Sequence, residues 1–311
     1  MAITKKKLFA GTENLTTLRD WVRFAVSAYR REQLFFGQGS DNAYDEAVYL
    51  IQSVLHLPLD GPETFFDAHL SVPEIEIVKK ALAKRIVERV PAAYITHEAW
   101  LGEHRFYVDE RVIIPRSYFA EIIPGELQNW IADPEAIERV ADVCTGGGSL
   151  AILSALAFPN AQVDAFDISV PALEVASKNV EDYGLVEQIS LFESDVLDET
   201  PAADGAYDII ISNPPYEPEC LRKTLPNEFK HEPDNALFSG EDGMDVIRKL
   251  LSQAAKKLKS NGLLLIEVGG LQDALHEAFP QIEFNWLPTA DESDCVCLIH
   301  ASELQKLIAK K

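Results

Sequence analysis

The chain has 311 residues, of which 47% are apolar, so it has enough apolar material for one large domain and a smaller one. Its 50 acidic residues outnumber its 28 Lys and Arg residues, which gives a formal net charge of −22. This charge argues against a protein that grips a nucleic-acid backbone through a wide basic face, and it favours either solubility alone or a basic macromolecular partner.

The cysteines and the first residues indicate the cellular compartment in which the protein is expected. The four cysteines, at 144, 220, 295 and 297, form no Cys-x-x-Cys pair, so they indicate neither a disulfide framework nor a zinc site. The three lysines at 5–7 precede no apolar run, and no stretch approaches the roughly 18 apolar residues of a membrane span. We therefore expect a cytoplasmic protein without a signal peptide or a membrane segment.

Residues 1–96 are predicted to form a small all-helical domain. Apolar residues recur at helical spacing over 18–29 and 47–55. A third helix is predicted to begin at Ser71, which has Glu74 in capping-box register, and to continue to about residue 90, before Pro91. No catalytic group stands out here, so this domain is interpreted as one that recognises the substrate or a partner, or that only adds stability.

The rest of the chain changes character at residue 97. Residues 97–116 are interpreted as a connecting β-hairpin with strands at 100–102 and 106–108. Strands and helices are then predicted to alternate over 117–311. The predicted strands are 140–143, 162–167, 189–192, 207–212, 263–268, 282–287 and 295–300. The predicted helices are 149–158, 170–183, 244–258, with Gly262 beyond its end, and 271–279.

This alternation predicts an α/β fold with a doubly wound, mostly parallel sheet. Ligands of such sheets bind at the carboxyl ends of the strands. The segments that follow those ends are therefore the first place to look for chemistry.

A glycine-rich loop, Asp-Val-Cys-Thr-Gly-Gly-Gly-Ser at 142–149, follows the first of these strands. Its glycines allow a sharp turn and a close approach of the backbone to a ligand, and the next helix offers free N–H groups. The loop matches neither the spacing of a dinucleotide-binding motif nor a Walker A lysine, which disfavours phosphate binding. A plain tight turn is the alternative.

Two carboxylates follow the next two strands. Asp167 lies 25 residues after Asp142 and can accept hydrogen bonds from both hydroxyls of a ribose. Its alternative role is a helix cap, but Ser169 can take that role and leave Asp167 free. Asp195 can accept from the exocyclic amine of adenine, and its alternative is a solvated loop acid. Three carboxylates after successive strands are more specific than any one of them.

The tetrapeptide Asn213-Pro214-Pro215-Tyr216 directly follows the apolar strand at 207–212. Its two prolines lack backbone donors and fix two φ angles, so the Asn213 side chain and the Pro214 carbonyl can both present acceptors outward. The Tyr216 ring can lie against a planar group. A proline-rich turn is the alternative, but it explains neither the asparagine nor the tyrosine.

The ordered set of glycine loop, Asp167, Asp195 and this tetrapeptide resembles the class I S-adenosylmethionine-dependent methyltransferases that methylate nitrogen, over about residues 97–300. Further segments look like the glutamine methyltransferases of the HemK group, whose members modify release factors or a ribosomal protein. These segments are Ile-Pro-Arg at 114–116, Glu-Pro-Asp-Asn-Ala-Leu at 232–237, Gly-Glu-Asp-Gly at 240–243 and Leu-Ile-Glu-Val-Gly at 265–269.

Two features are similar to the branch of this group that methylates a glutamine of large-subunit ribosomal protein L three. The loop begins Cys144-Thr145-Gly146 where release-factor enzymes usually have Gly-Thr-Gly, and residues 36–47 and 115–117 also look like that branch. The chain departs from the family at Gly147, where serine is common, and at Val170, where proline often follows the serine; neither change is expected to matter.

The resemblance implies an enzyme that uses S-adenosylmethionine as co-substrate and methylates the N5 nitrogen of a glutamine. The implied partner is a basic large-subunit ribosomal protein, free or within an assembly intermediate, with no direct binding of nucleic acid and no membrane contact. A release-factor methyltransferase, an adenine N6-methyltransferase and a non-catalytic donor-binding assembly factor are the alternatives. No histidine set with metal-ligand spacing is present, so no metal is expected.

The resemblance also implies roles for residues. The catalytic residues are Asn213 and Pro214, which accept the two N–H groups of the acceptor amide, and Tyr216, which packs against the amide plane. Substrate is bound by these three together with Pro215 and Arg116, unless Arg116 forms a structural ion pair instead. The donor is bound by Thr145, Gly146 and Gly148 at its amino-acid end, Asp167 at the ribose, Asp195 at the adenine, and Asn213.

Overall fold

The structure, a computed structural model, describes residues 3–308. The chain divides into two compact units. The first comprises the described residues through Ala99 together with Val108–Glu110 and Pro226–His231, and the second comprises Trp100–Tyr107, Arg111–Leu225 and the described residues from Glu232 onward. Among residues 3–308, no helix is both long and apolar enough to cross a membrane. The functional division at residues 96 and 116 stays a prediction.

The first unit is built from α-helices. They are α1 (Lys5–Leu8), α2 (Leu18–Arg31), α3 (Ala43–Val54), α4 (Val72–Val87) and α5 (Ala92–Thr96). The three predicted helices are confirmed as α2, α3 and α4, and α4 begins with the predicted capping box of Ser71 and Glu74. It ends three residues earlier than predicted because Arg89 adopts a left-handed backbone with φ of 64°, which a helix cannot continue through.

A buried arginine organises the core of this unit. Arg85 on α4 is 1% exposed, and its Nε lies 2.7 Å from Glu46 Oε1 on α3. Its Nη1 lies 3.1 Å from Glu228 Oε1, and Arg89 also contacts that carboxylate. The buried guanidinium therefore neutralises Glu46, whose described cationic partner is Arg85, and shares the neutralisation of Glu228 with Arg89.

The predicted hairpin is confirmed with shifted bounds. Strands β1 (Glu98–Leu101) and β2 (His104–Tyr107) pair as a two-stranded sheet. Gly102 lies in the turn between them with φ of 60°, a conformation that glycine adopts without strain. Each strand begins two residues before its predicted position.

The second unit contains a seven-stranded sheet, which confirms the predicted doubly wound, mostly parallel α/β architecture. Its strands are β3 (Arg139–Val143), β4 (Gln162–Asp167), β5 (Ile189–Glu193), β6 (Tyr207–Ser212), β7 (Leu258–Glu267), β8 (Asn285–Leu287) and β9 (Val296–His300). Their order across the sheet is β5-β4-β3-β6-β7-β9-β8. The first five are parallel neighbours, and β9 runs antiparallel between β7 and β8.

Helices cover both faces of the sheet. They are α6 (Phe119–Ile122), α7 (Ser149–Ala157), α8 (Val170–Asp182), α9 (Asp245–Lys257), α10 (Gln272–Ala278) and α11 (Ala301–Ile308). Alternate strand residues enter separate cores: Val140, Ile209 and Leu265 pack with α7, whereas Ala141 and Ile210 pack with α9 and α11. This alternation follows from the two-residue period of a strand buried on both faces.

Several short 3₁₀ helices lie in the connections. They are Glu63–Asp67 and Asn227–His231 in the first unit, and Glu126–Asn129, Pro134–Ala136, Glu219–Lys223 and Asp234–Ala236 in the second.

One boundary prediction was wrong. The helix was expected to end at 258, with Gly262 beyond its end, and the strand to begin at 263, but β7 begins at Leu258 and includes Gly262. The β6–β7 register shifts between Tyr207 and Ile209, and a Cβ at Gly262 would lie 3.0 Å from the Tyr207 carbonyl oxygen. Glycine is therefore favoured by a close approach of two strands at an irregularity.

The last elements were also only partly predicted. The strand expected over 282–287 is limited to β8 at 285–287, because only these three residues pair with β9. Helix α11 was not predicted, although Ala301 and Leu304 bury an apolar face against the sheet.

The buried ion pair of the first unit generates a stability prediction. We expect Arg85→Met to lower the free energy of unfolding by roughly 3–5 kcal/mol, because it leaves the Glu46 carboxylate buried and unpaired. The matched control is Arg19→Met, which removes an exposed pair with Asp67 and should leave the unfolding midpoint nearly unchanged. Urea unfolding followed by circular dichroism measures both, and equal effects of the two substitutions would contradict the prediction.

Candidate functional site

A cavity of about 240 Å³ lies at the carboxyl ends of the parallel strands in the second unit. Its walls come from the loops after β3, β4, β5 and β6, together with residues 111–113, 233–238 and Val246. Of the site residues predicted from the sequence, those that line the cavity are Gly146, Asp167, Asp195, Asn213 and Pro215. The others, Thr145, Gly148, Pro214, Tyr216 and Arg116, lie outside its lining.

The glycine loop is held from within. The Thr145 hydroxyl donates a 2.5 Å hydrogen bond to Asp142 Oδ2, and the Thr145 backbone N–H donates to the Phe166 carbonyl. Asp142 is fully buried, and this burial raises its pKa to about 7. Thr145 thus uses its donors to fix the loop; its predicted contact with a ligand stays a prediction.

Positions 146 and 148 of the loop favour glycine for different structural reasons. Gly146 has φ of 55°, and its N–H donates to Asp167 Oδ2 at 2.8 Å. Gly148 has φ of 80°, and a Cβ there would lie 3.2 Å from the Ala176 Cβ on α8. Gly146 therefore shapes the turn beside the cavity, whereas Gly148 lets α7 pack closely against α8.

Asn179 was missed by the sequence analysis and supports the same loop. It is buried on α8, its Nδ2 donates to the Gly147 carbonyl at 2.8 Å, and its Oδ1 accepts from the Tyr107 N–H at 2.8 Å. One amide side chain therefore connects the hairpin with the glycine loop. A polar residue within the apolar face of a predicted helix was the available signal.

Asp167 is positioned by two backbone donors. Its Oδ2 accepts from Gly146 N–H and its Oδ1 accepts from Ser169 N–H, each at 2.8 Å. Burial raises the pKa of Asp167, and these N–H groups oppose the rise because they favour the ionised form. The prediction that Ser169 caps the next helix is confirmed, since its Oγ accepts from the Ala172 N–H. Each Asp167 oxygen keeps a lone pair for a further donor.

Asp195 has a cationic partner that the sequence did not reveal. Its Oδ2 lies 2.7 Å from Lys249 Nζ on α9, 54 positions later in the chain. The next residue, Val196, has φ of 60°, a strained conformation for a β-branched residue. Cys144, which also lines the cavity, has a positive φ of 61°. Backbone strain at two points of a cavity lining is typical of functional sites.

Asn213 is oriented by a carboxylate. Its Nδ2 donates to Glu267 Oε1 at 3.2 Å, while Glu267 Oε2 accepts from Ser117 Oγ at 2.6 Å and from Tyr118 N–H at 3.1 Å. An ionised carboxylate only accepts hydrogen bonds, so the NH₂ group of Asn213 must face it, which leaves Oδ1 on the opposite side of the amide. Glu267 is 3% exposed, and this burial raises its pKa to about 7.

Glycines surround Tyr216 closely. A Cβ at Gly269 would lie 2.6 Å from Tyr216 Cε2, and a Cβ at Gly243 would lie 2.2 Å from the Tyr216 carbonyl oxygen. Both glycines have positive φ, of 52° and 81°. Burial raises the pKa of the Tyr216 hydroxyl well above its usual range, so the ring stays neutral. Gly243 of the 240–243 segment and Gly269 of the 265–269 segment therefore pack directly against the tetrapeptide.

Arg116 makes a bidentate ion pair. Its Nη1 and Nη2 lie 2.5 and 2.8 Å from the two carboxylate oxygens of Glu232, whose side chain is fully buried, and Nη1 also donates to the Ile114 carbonyl. The structural pair that the sequence left open is thus present, and it joins segments 114–116 and 232–237. A contact of Arg116 with substrate stays a prediction.

Comparisons with known proteins give consistent results. Residues 127–242 match the family described as "Methyltransferase small domain". The chain is 50% identical to the ribosomal protein uL3 glutamine methyltransferase of Burkholderia pseudomallei, over 93% of this chain and 95% of that protein. Proteins of the same name from Neisseria gonorrhoeae and Bradyrhizobium diazoefficiens are 48% and 41% identical, over 94% of this chain and 97% and 93% of their own length.

The contact between Gly269 and Tyr216 generates the second prediction. We expect Gly269→Ala to destabilise the protein by roughly 2–4 kcal/mol, because alanine adds a left-handed backbone penalty and a clash with the ring. The matched control is Gly270→Ala, where a Cβ would meet no atom within 4 Å and should change stability by about 0.5 kcal/mol or less. Urea unfolding measures both; a Gly269→Ala protein as stable as Gly270→Ala would contradict the contact.

Proposed function

Since this chain belongs to the family of ribosomal protein uL3 glutamine methyltransferases, we propose that it transfers a methyl group from S-adenosylmethionine to the side-chain amide nitrogen (N5) of a glutamine in ribosomal protein uL3. The observation that carries the proposal is the Asn213 amide, held by Glu267 beside the cavity at the carboxyl edge of the sheet. An amide oxygen held in this orientation can accept a hydrogen bond from a planar NH₂ group.

The cavity residues fit S-adenosylmethionine, which when bound supplies a methyl group on a positively charged sulfur. Asp167 ends β4 with a spare lone pair on each oxygen and would hold the ribose hydroxyls. Asp195, one strand further, would hold the adenine amine. Gly146, without a side chain, would allow the amino-acid end of the donor to approach the loop, with Thr145 and Gly148 shaping that loop.

The acceptor nitrogen is a poor nucleophile because its lone pair is delocalised into the carbonyl group. We assign to Asn213 Oδ1 and to the Pro214 carbonyl the acceptance of its two N–H hydrogens. This holds the nitrogen in line with the methyl group and stabilises the positive charge that develops on it. Pro215 fixes the backbone, and the neutral Tyr216 ring packs against the acceptor amide. The N–CH₃ bond forms as the S–CH₃ bond breaks, and the extra proton leaves to solvent afterwards.

The charge distribution indicates where a basic acceptor is recognised. Residues 1–99 contain 12 Lys and Arg and 13 Asp and Glu, so almost all of the net charge of −22 belongs to the rest of the chain. We propose that this acidic remainder, residues 117–311 above all, attracts basic segments of uL3. Residues 1–96 and the hairpin at 97–116 would then add recognition that does not depend on charge, and Arg116 would shape the entrance.

We propose that the target glutamine lies in an extended segment of uL3, which can reach the cavity before ribosome assembly. The proposal therefore places the reaction in the cytoplasm, on free uL3 or on an assembly intermediate. The low basic content of the catalytic part disfavours direct binding of nucleic acid and hence the adenine N6-methyltransferase alternative.

The experiment that tests the function is incubation of the purified protein and S-adenosylmethionine with unmodified uL3, followed by mass spectrometry of its peptides. We expect one added methyl group on one glutamine. Asn213→Ala should lower kcat about 10²–10³-fold, because one transition-state acceptor is lost. The matched control is the exposed Asn129→Ala, which should retain wild-type kcat. Transfer only to a release factor or to DNA would overturn the proposal.

The acidic charge outside residues 1–99 leads us to expect that recognition of uL3 depends on salt. We expect the KM for uL3 to rise several-fold between about 0.05 M and 0.3 M NaCl, because salt screens the attraction between the acidic catalytic part and the basic acceptor. A short neutral peptide that carries the same glutamine is the control, and its KM should hardly change. Equal salt dependence of the two acceptors, or none for uL3, would contradict electrostatic recognition.

A further inference from the structure

Glu267 is a buried carboxylate that contacts Asn213, and the proposed transfer step assigns it no role of its own. It is the last residue of β7, and its two oxygens have different partners. Oε2 accepts two donors from one segment, Ser117 Oγ–H and Tyr118 N–H, while the described partner of Oε1 is the Nδ2 of Asn213. One oxygen therefore anchors the carboxylate, and the other faces the asparagine.

We propose that Glu267 is a positioning residue that determines which atom of the Asn213 amide faces the acceptor glutamine. The inference rests on the proposed function, because it concerns how Asn213 receives the acceptor N–H. With its NH₂ group bound to Glu267, Asn213 turns Oδ1 toward the acceptor. The opposite orientation would place the Asn213 NH₂ group against the acceptor NH₂ group, where two donors meet without an acceptor.

The anchoring donors explain why this position needs a carboxylate. A glutamine at 267 has one oxygen and one NH₂ group, and the Tyr118 N–H, which only donates, requires the oxygen. The NH₂ group would then face Asn213, and Asn213 would have to turn its own oxygen toward it. Glu267→Gln thus keeps the shape of the side chain but reverses the direction of its hydrogen bond with the Asn213 amide.

The charged and titratable groups around Glu267 make the orientation sensitive to pH. Arg116, from the segment that also carries Tyr118, favours ionised Glu267, although Glu232 shares its charge. Tyr216 in the tetrapeptide and Cys295 directly before β9 are neutral at pH 7, because burial raises the pKa of each. Burial of Glu267 outweighs Arg116 and raises its pKa to about 7. Protonated Glu267 can donate to Asn213 and reverse its amide, so transfer should fall as the pH drops through about 7.

The test compares two substitutions of Glu267. A positioning role and a purely structural role predict opposite orders for the activities of the two variants. Glu267→Gln preserves volume but adds a donor, whereas Glu267→Asp shortens the side chain but still only accepts. If Glu267 positions Asn213, Glu267→Gln should lower kcat about 10²–10³-fold with little change in the Kd for S-adenosylmethionine, and Glu267→Asp should retain at least tenfold more activity. If Glu267 only fills space, the glutamine variant is the more active one.

A matched control and a pH profile complete the test. Asp164→Asn makes the same chemical change at a buried carboxylate that accepts from Tyr207 Oη and Arg139, and it should leave kcat within about threefold of wild type. The wild-type profile should have an acidic limb near pH 7, and Glu267→Gln should lack it. A glutamine variant as active as wild type, or an unchanged acidic limb in it, overturns the inference.

A measurement on the wild-type protein keeps the inference testable if the variants fail to fold. The NMR signals of the Asn213 side-chain NH₂ group should titrate with a midpoint near pH 7, and signals that do not move between pH 5.5 and 8.5 would overturn the positioning role. The two proposals fail separately. Absence of uL3 methylation by wild-type protein overturns the proposed function, whereas methylation with an unimpaired Glu267→Gln variant overturns only the role of Glu267.

Discussion

Parallel pairing of β3 with β4 and β6 is the constraint on which the site depends. It places Val143 opposite Phe166 on one side and Ser212 on the other, so three strands end at one edge. Hydrogen bonds continue past these ends. The Ser212 hydroxyl donates to the Val143 carbonyl at 2.6 Å, and the Thr145 N–H donates to the Phe166 carbonyl at 2.9 Å. Loops that are distant in sequence therefore begin from a common, rigid edge, as ligand sites on doubly wound sheets require.

The sequence predicted the elements whose signal is local. The strands that form the centre of the sheet are short apolar runs between glycine, proline or acidic residues, and the capping box at Ser71 needs only four residues to be recognised. Predictions failed where a distant contact decides the outcome. The start of β7 was predicted at 263, five residues too late, because the pairing of Leu258 with Tyr207 on another strand leaves no local signal. Residues 282–284 look like a strand but lack a pairing partner in β9.

The site residues also fall into two groups, those that a local sequence signal reveals and those that only a distant contact reveals. Asp167, Asp195 and Asn213 could be found because each ends or follows an apolar strand, and all three line one cavity. The residues that hold them could not be found so readily. Glu267 and Lys249 each lie 54 positions from the side chain they contact, and no spacing rule connects them. A charged residue that ends an apolar strand was the available signal for Glu267, and it is the same signal that identified the aspartates.

Because glycines pack closely around Tyr216, the tetrapeptide loses its conformational entropy when the chain folds and not when the acceptor binds. Gly269 lies against the ring, Gly243 lies against the backbone, and two prolines precede the tyrosine, so the tetrapeptide has few alternative conformations in the folded protein. Its ordering is complete when the chain folds, before any acceptor arrives. Binding then needs to immobilise only the acceptor segment, and a preorganised wall of this kind does not adapt to an amide that arrives at the wrong depth. Under the roles proposed for Asn213 and Pro214, an asparagine, one methylene shorter than glutamine, would hold its amide back from their oxygens, so rigidity would itself discriminate between the two amide side chains.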